Sequence, residues 1–313
     1  MSRQDGGSPC GRGNSVPLAP IFGILCRVLH KKDIRPRLCA AFVTLAAAVT
    51  AGTNGVELAD LDLHLRYVPE ARTAYISRGR VCEDRPVMTQ LVRVDGALGP
   101  LGRVGLWHWD VSALGNRREN LFRRSFHEVD WGFFYRYDWK INEDWTLTTD
   151  VMKDWITLPG ARGRLRGHSD ATIHEYRYFQ ALKNPYVTPW CLIRRGTHPN
   201  DWTYYRVGAQ HGFPLVDRLT LTPIVYMELG DERHFNRRYG QNVSGRSYHS
   251  GPQTLVAQLE LAWKVSDWIS FTATLTQFDM VSEDARATIM ERGSRGQRRR
   301  DLTIFGLGAV VKF

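Results

Sequence analysis

The sequence has few cysteines and no long apolar helix. Its 313 residues include five Cys, none in a Cys-x-x-Cys pair, and three of them precede residue 51. The remaining two, Cys82 and Cys191, stand 109 positions apart. They could form one disulfide, but they are not the dense framework of a small secreted domain. Beyond residue 51 no apolar run reaches about 18 residues, which argues against a helical membrane protein.

Motifs for metals and cofactors are also absent. The sequence has no phosphate-binding or dinucleotide-binding glycine fingerprint. Eight of its ten histidines are scattered without the paired spacing of a zinc site. They are His64, His108, His127, His174, His198, His211, His234 and His249. We therefore expect neither a metal nor a cofactor.

The first 51 residues have the organisation of an exported leader. Basic residues crowd the segment from Arg27 to Arg37, an apolar run of about 12 residues begins at Leu38, and the small residues Val49-Thr50-Ala51 follow. We predict a leader and cleaved signal peptide over 1–51 and a mature domain over 52–313. Residues 1–51 hold seven Lys or Arg and two Asp or Glu, so the formal net charge falls from +10 to +5. Most support for a nucleic-acid partner disappears with them.

Apolar and polar residues alternate over segments of about ten residues throughout the mature part, the period of half-buried strands. Leu255, Leu259 and Trp263, for example, alternate with Gln258 and Glu260. Twelve such segments are predicted as strands. They cover 71–78, 86–98, 101–110, 129–139, 145–156, 171–183, 186–195, 205–210, 218–229, 254–265, 268–276 and 301–313. Residues 58–67 also alternate, so the first strand could begin earlier and break at Pro69.

The connections alternate between short and long. Short ones lie near 99–100, 140–144, 183–185, 214–217 and 266–267, and long ones near 111–125, 157–170, 230–250 and 280–300. A soluble sandwich shares the strand alternation, but short periplasmic turns and long outer loops are typical of outer-membrane barrels. The sequence therefore predicts an all-β fold, a transmembrane antiparallel up-and-down barrel of about twelve strands. We expect it in the outer membrane of a Gram-negative bacterium.

Two features predict partners. The chain ends at Phe313, and a terminal Phe after an alternating strand resembles the end signal that the barrel-assembly machinery reads. Arginines crowd three long loops, where they could concentrate anionic solutes or bind lipopolysaccharide phosphates among the outer-membrane lipids. We favour the second interpretation. These loop arginines are Arg117, Arg118, Arg123, Arg124, Arg162, Arg164, Arg166, Arg295, Arg298, Arg299 and Arg300.

A stretch between Thr73 and Tyr137 resembles the TorF-type porins. Tyr75-Ile76-Ser77-Arg78-Gly79 is similar to their first strand, which ends in Arg-Gly, and Arg85-Pro86 to the start of their second. Gly105-Leu106-Trp107 and the acidic residue in Val129-Asp130 match their next two strands. The long, Arg-rich loops depart from that pattern. The resemblance implies an outer-membrane channel.

Alternation assigns one face of each strand to the lumen. The predicted lumen-lining residues carry both charge signs, which favours passage of small hydrophilic solutes with modest charge selectivity. Alternatively, these charges pair across the lumen and fill a closed structural or lipid-interacting barrel without transport. The set comprises Arg93, Asp130, Arg136, Asp150, Glu175, Arg177, Arg206, Tyr226, Gln258, Glu260 and Lys264.

Tryptophans near predicted strand ends are assigned to the membrane interface. They are Trp131, Trp139, Trp145, Trp155, Trp263 and Trp268. An outer-membrane lipid hydrolase is a third hypothesis, because Ser125 and His127 would share one face of a strand and Ser247 and His249 have the same spacing. Neither pair has an identifiable orienting partner. We therefore assign no catalytic residue and do not expect an enzyme.

Overall fold

The computed structural model describes residues 62–114, 126–158, 171–198, 201–292 and 298–313. Within these ranges twelve long strands form one sheet that closes on itself. These are β1 (Leu63–Arg72), β4 (Val87–Ala97), β5 (Arg103–Ala113), β6 (Phe126–Lys140), β7 (Thr146–Leu158), β8 (Ala171–Lys183), β9 (Thr188–His198), β10 (Trp202–Gln210), β12 (Leu219–Gly230), β13 (Gly251–Lys264), β14 (Ile269–Met280) and β15 (Asp301–Lys312). A short hairpin, β2 (Tyr75–Ser77) and β3 (Arg80–Glu83), follows β1, and β11 (Phe213–Val216) continues the line of β10.

Each barrel strand pairs antiparallel with its neighbours along the chain, and pairing of β1 with β15 closes the ring. The last residue takes part in the closure. Leu65 N donates to Phe313 O and Phe313 N donates to Leu65 O, both at 2.9 Å. The predicted twelve-stranded up-and-down barrel is confirmed, and closure leaves no open sheet edge in the membrane.

The predicted first strand was wrong. The wall strand is β1, which begins at Leu63 and passes through Pro69, whereas residues Tyr75–Ser77 belong to the hairpin. Pro69 pairs with Gln90 of β4, but the ladder to β15 skips from Tyr67 to Glu70. Proline has no N–H to donate. The strand tolerates Pro69 because only one of its two ladders is interrupted there.

The outside of the barrel is apolar. Alternate residues of each strand point to opposite sides of the sheet. The outer set on β13 and β14 is exposed and apolar, and it includes Leu255, Leu259, Trp263, Phe271 and Leu275. These side chains form the band that contacts lipid in a transmembrane barrel. Within the described residues, no helix is long and apolar enough to cross a membrane.

The two ends of the barrel differ, as the loop lengths predict. Tight turns join β6 to β7, β8 to β9 and β13 to β14, whereas helices α1 (Glu232–Tyr239) and α2 (Glu283–Arg292) lie in the connections at the opposite, outer end. Asp231 caps α1 by accepting from His234 N at 2.6 Å, and Gly240, with φ 82°, ends it. An acidic first turn and a basic last turn favour this short helix.

Replacing Leu259, near the middle of the lipid-facing side of β13, by arginine should lower the free energy of unfolding by about 2–4 kcal/mol. The matched variant Gln258→Arg introduces the same charge on the inner side and should change it little. Denaturant titration of the protein refolded into vesicles measures both. Equal losses from the two variants would contradict the assignment of faces.

Candidate functional site: the charged lumen and its inner hairpin

The inner face of the barrel carries the charges. The strand registers put all eleven sequence-predicted lumen residues on that face, from Arg93 on β4 to Lys264 on β13. Directly paired residues share a side, so Arg66 faces inward opposite Arg93 and Asp150 faces inward opposite Arg136. Alternation therefore brings these side chains together on one surface.

Charges pair along the wall rather than across the lumen. Arg136 donates two hydrogen bonds, each of 2.5 Å, to the carboxylate of Asp150 on the next strand. Arg177 of β8 pairs with Asp154 of β7, which also accepts a bond of 3.1 Å from Trp107 Nε1. Bidentate contacts of this kind fix the guanidinium plane as well as its charge. These two pairs join neighbouring strands of the wall and do not cross the lumen.

The pattern continues around the ring. Glu175 of β8 accepts from Arg194 of β9 at 3.0 Å. Glu228 of β12 pairs with Arg206 of β10 at 2.7 Å and accepts from Tyr204. Asp154, Arg194 and Glu228 were missing from the sequence-predicted set, although alternation puts them on the same faces as Asp150, Leu192 and Tyr226.

In each of the four pairs just described, the arginine side chain is more exposed than its carboxylate partner. The arginine side chains are 14–30% exposed, whereas their carboxylate partners are 0–2% exposed. In these four pairs the arginine therefore presents more of its side chain to the lumen than its carboxylate partner does, even though both signs occur in the wall.

The β2–β3 hairpin enters the lumen from the outer end. Arg78 at its tip lies 3.3 Å from Glu175 of β8 and 3.7 Å from Glu128 of β6, and its carbonyl accepts from Gln253 of β13 at 2.9 Å. These strands belong to different sides of the ring, so the hairpin crosses it. Arg78 and Gly79 both have positive φ, and a Cβ on Gly79 would lie 2.1 Å from Gln253 Nε2. The positive φ of Gly79 favours glycine at that position.

An apolar cluster packs beside the hairpin. Phe235 and Tyr239 of α1, Ile289 of α2 and Val81 of β3 are buried together with inner residues of the wall. Tyr239 Oη also donates to Gly79 O at 2.7 Å. Two helices and a hairpin thus narrow the outer half of the lumen. Strand periodicity did not reveal this, since inward folding depends on contacts distant in sequence.

The predicted interface tryptophans lie at two levels. Trp131 and Trp155 face outward on the outer half of β6 and β7 and stack with ring centroids 4.2 Å apart. Trp139, Trp263 and Trp268 are more than half exposed near the short-turn end, and Trp145 lies in the turn after β6.

Several predicted features fall outside the described residues. These include the leader, Ser125, the side chain of His127, and the loop arginines except Arg298, Arg299 and Arg300. Ser247 and His249 are exposed loop residues. In the described ranges Cys82 and Cys191 are free thiols, and no cluster of three or more His, Cys, Asp or Glu could hold a metal.

The comparisons with known proteins are distant. No protein-family model matches the sequence, and no curated protein matches it. Among solved structures, a KdgM porin is 9% identical over 80% of this chain and 99% of its own, with a TM-score of 0.43. A NanC porin is 9% identical over 80% and 100%, with a TM-score of 0.47. The outer membrane channel DcaP of Acinetobacter baumannii is 10% identical over 83% and 99%, with a TM-score of 0.34. The fold assignment rests on the strand pairing of this chain itself.

Arg78→Ala should release the hairpin, because it leaves the buried Glu128 and Glu175 without that cation. Breaking a buried pair costs about 3–5 kcal/mol. Cys82 of β3, whose Sγ lies 3.1 Å from Arg238 Nη2, should then react several-fold faster with a water-soluble maleimide. The control Arg246→Ala removes an exposed loop cation and should leave the rate unchanged. An unaltered Cys82 rate in Arg78→Ala would contradict the anchoring role.

Acid should loosen α1. Burial, together with nearby Arg238 and Arg78, holds the pKa of His234 well below its ordinary value of 6.5. When α1 opens, the imidazole of His234 regains its ordinary pKa and binds a proton that it does not bind in the closed form. The closed form therefore loses stability as pH falls below about 6.5. Hydrogen exchange of the α1 amides should therefore be faster at about pH 5.5 than at about pH 7.5. His234→Gln should abolish the difference, and a difference that persists there would show that another group controls it.

Proposed function

We propose that this protein is a narrow outer-membrane channel for small hydrophilic solutes with a modest preference for anions. The observation that carries the proposal is the exposure difference between the arginines and carboxylates of the lumen wall. The side chains of Arg136, Arg177, Arg194 and Arg206 are 14–30% exposed inside the barrel, while their carboxylate partners are 0–2% exposed. A wall that presents cations to water lowers the energy of an anion passing it.

Export, assembly and contact with lipopolysaccharide belong to the same proposal. The chain would reach the outer membrane of a Gram-negative bacterium after loss of residues 1–51, and the barrel-assembly machinery would bind its C-terminal strand through Phe313. The loop arginines would contact lipopolysaccharide. Membership of the TorF-type porins is supported by the motifs between Thr73 and Tyr137 alone. We propose no catalytic role.

A closed structural barrel is the second candidate. The inward hairpin and the apolar cluster around Phe235 favour it, because they occupy the outer half of the lumen. Conductance separates the two candidates: a channel passes ions through the remaining space, and a closed barrel does not.

Single-channel recording of the full chain, purified from membranes into a planar bilayer under a salt gradient, tests the proposal. We expect discrete steps and a reversal potential of the anion-selective sign. Arg66→Gln should reduce that preference, because Arg66 faces the lumen without an ion pair at contact distance in the described residues. Arg246→Gln, in an outer loop, should alter it less. A folded barrel without steps would overturn the channel and favour the closed barrel.

A further inference from the structure

A row of aromatic and imidazole side chains crosses five strands on the lipid-facing side of the barrel. Strand register pairs His108 with Trp131, Trp131 with Trp155, Trp155 with His174, and His174 with His198. The His174 and His198 ring centroids are 5.2 Å apart. The row lies in the outer half of the wall, where amphipathic rings contact lipid headgroups.

Two cations lie in the next row, one step nearer the middle of the membrane. Lys153, Tyr176 and Arg195 are register partners on β7, β8 and β9 and face lipid. Lys153 Nζ lies 3.8 Å from the Tyr176 ring centroid and 5.7 Å from that of Trp155. The lysine thus extends toward the aromatic row, as long basic side chains do to bring their charge to the headgroup level.

A bulge brings the fourth basic group to this surface. Between β8 and β9 the register shifts, so that Glu175 pairs with Gly196 but His174 pairs with His198. One extra residue, Thr197, is accommodated there. Without it, strict alternation from Arg195 would point His198 into the lumen. Bulges re-aim side chains in this way and are frequent at functional positions.

Acidic groups are sparse on this part of the outer wall. Asp110 of β5 lies on the same side, with its Oδ2 3.4 Å from Nε2 of His108 at one end of the aromatic row. In the described residues the lipid-facing positions of β6 to β10 include no Asp or Glu, and Lys153 has no ion pair. Arg195 reaches only Asp201, at 3.8 Å and half exposed beyond the end of β9. A cation that faces a bilayer without an ion pair, as Lys153 does, is costly and needs an anion. Below them, Val151, Tyr178 and Ile193 form an exposed apolar surface.

We propose that Lys153, His174, Arg195 and His198 form a binding site on the barrel wall for a phosphorylated lipid of the outer leaflet, of the lipopolysaccharide type. The cations bind its phosphates, the two stacked tryptophans flank the headgroup, and the apolar surface below contacts its acyl chains. The order of these three layers along the membrane normal matches that of such a lipid and explains why cations lie on a lipid-facing wall. The site is independent of the lumen and of any conductance.

Native mass spectrometry of the full chain in neutral detergent tests the site, with bisphosphorylated lipid A as the probe. We expect saturable binding of lipid A and at least roughly tenfold weaker binding of its dephosphorylated form. Lys153→Gln and Arg195→Gln should each weaken lipid A binding by roughly tenfold, because each removes a charge-assisted contact. Lys153→Arg should restore most of it. The control Arg66→Gln removes an equal charge from the lumen side and should not weaken it.

Folding of every variant is checked by its mobility on an unheated detergent gel. Equal affinity for phosphorylated and dephosphorylated lipid A, or for wild type and both glutamine variants, would overturn the proposal. Tight competition by inorganic phosphate would overturn its lipid part. A dimer that forms without lipid and dissociates in Lys153→Gln would instead assign this face to contact between two copies of the chain.

Discussion

Closure of the sheet is the constraint on which the rest of this structure depends. Inside a bilayer every backbone N–H and C=O must find a partner within the protein, and twelve strands satisfy this only when β1 meets β15. The register at that seam, with Tyr67 opposite Val311, fixes which residues face inward on both strands. Because each of the other strands pairs with its neighbour along the chain, the assignment of inward and outward faces continues around the ring. Apolar residues then face lipid on most of the outer wall, and most of the charged residues face the lumen.

The crowded lumen charges are arranged so that desolvation is limited. The buried carboxylates of Asp150, Asp154, Glu175 and Glu228 each lie beside an arginine of a neighbouring strand, and these arginines are partly exposed. Such a pair adds little to the free energy of unfolding, but removing one partner lowers that free energy strongly because the other charge stays buried. The hairpin uses the same chemistry: Arg78 inserts its cation between Glu128 and Glu175. The wall and the element that narrows it are therefore electrostatically linked.

Most of the wall could be predicted from the sequence, because a period of two is a local property of the chain. Leu255, Leu259 and Trp263 show the outward face of β13 directly. Alternation also assigns Lys153 to the lipid side and Asp154 to the lumen, although neither was singled out. Features that break the period were not predictable in this way. Pro69 concealed β1, and a single extra residue, Thr197, reversed the side of His198.

The inward elements were not predictable for a different reason. Tyr75-Ile76-Ser77 has the composition of a wall strand, and contacts distant in sequence hold the hairpin inside the barrel. Gln253 bonds to Arg78, Tyr239 bonds to Gly79, and Glu128 accepts from Tyr75. Local propensity cannot distinguish these two positions. The positive φ of Arg78 and Gly79 marks the turn, and the Arg-Gly pair is its sole local indication.

Cysteine accessibility along β13 tests most directly whether water fills a lumen whose wall presents cations. Single cysteines would replace Leu255, Leu259, Gln258 and Ala262 in a background lacking Cys82 and Cys191, with the protein in vesicles. A membrane-impermeant thiol reagent should modify the inward Gln258 and Ala262 positions and not the outward Leu255 and Leu259 positions. An anionic reagent should react faster than a cationic one. Protection of the inward positions would contradict a water-filled lumen and indicate a packed, closed barrel.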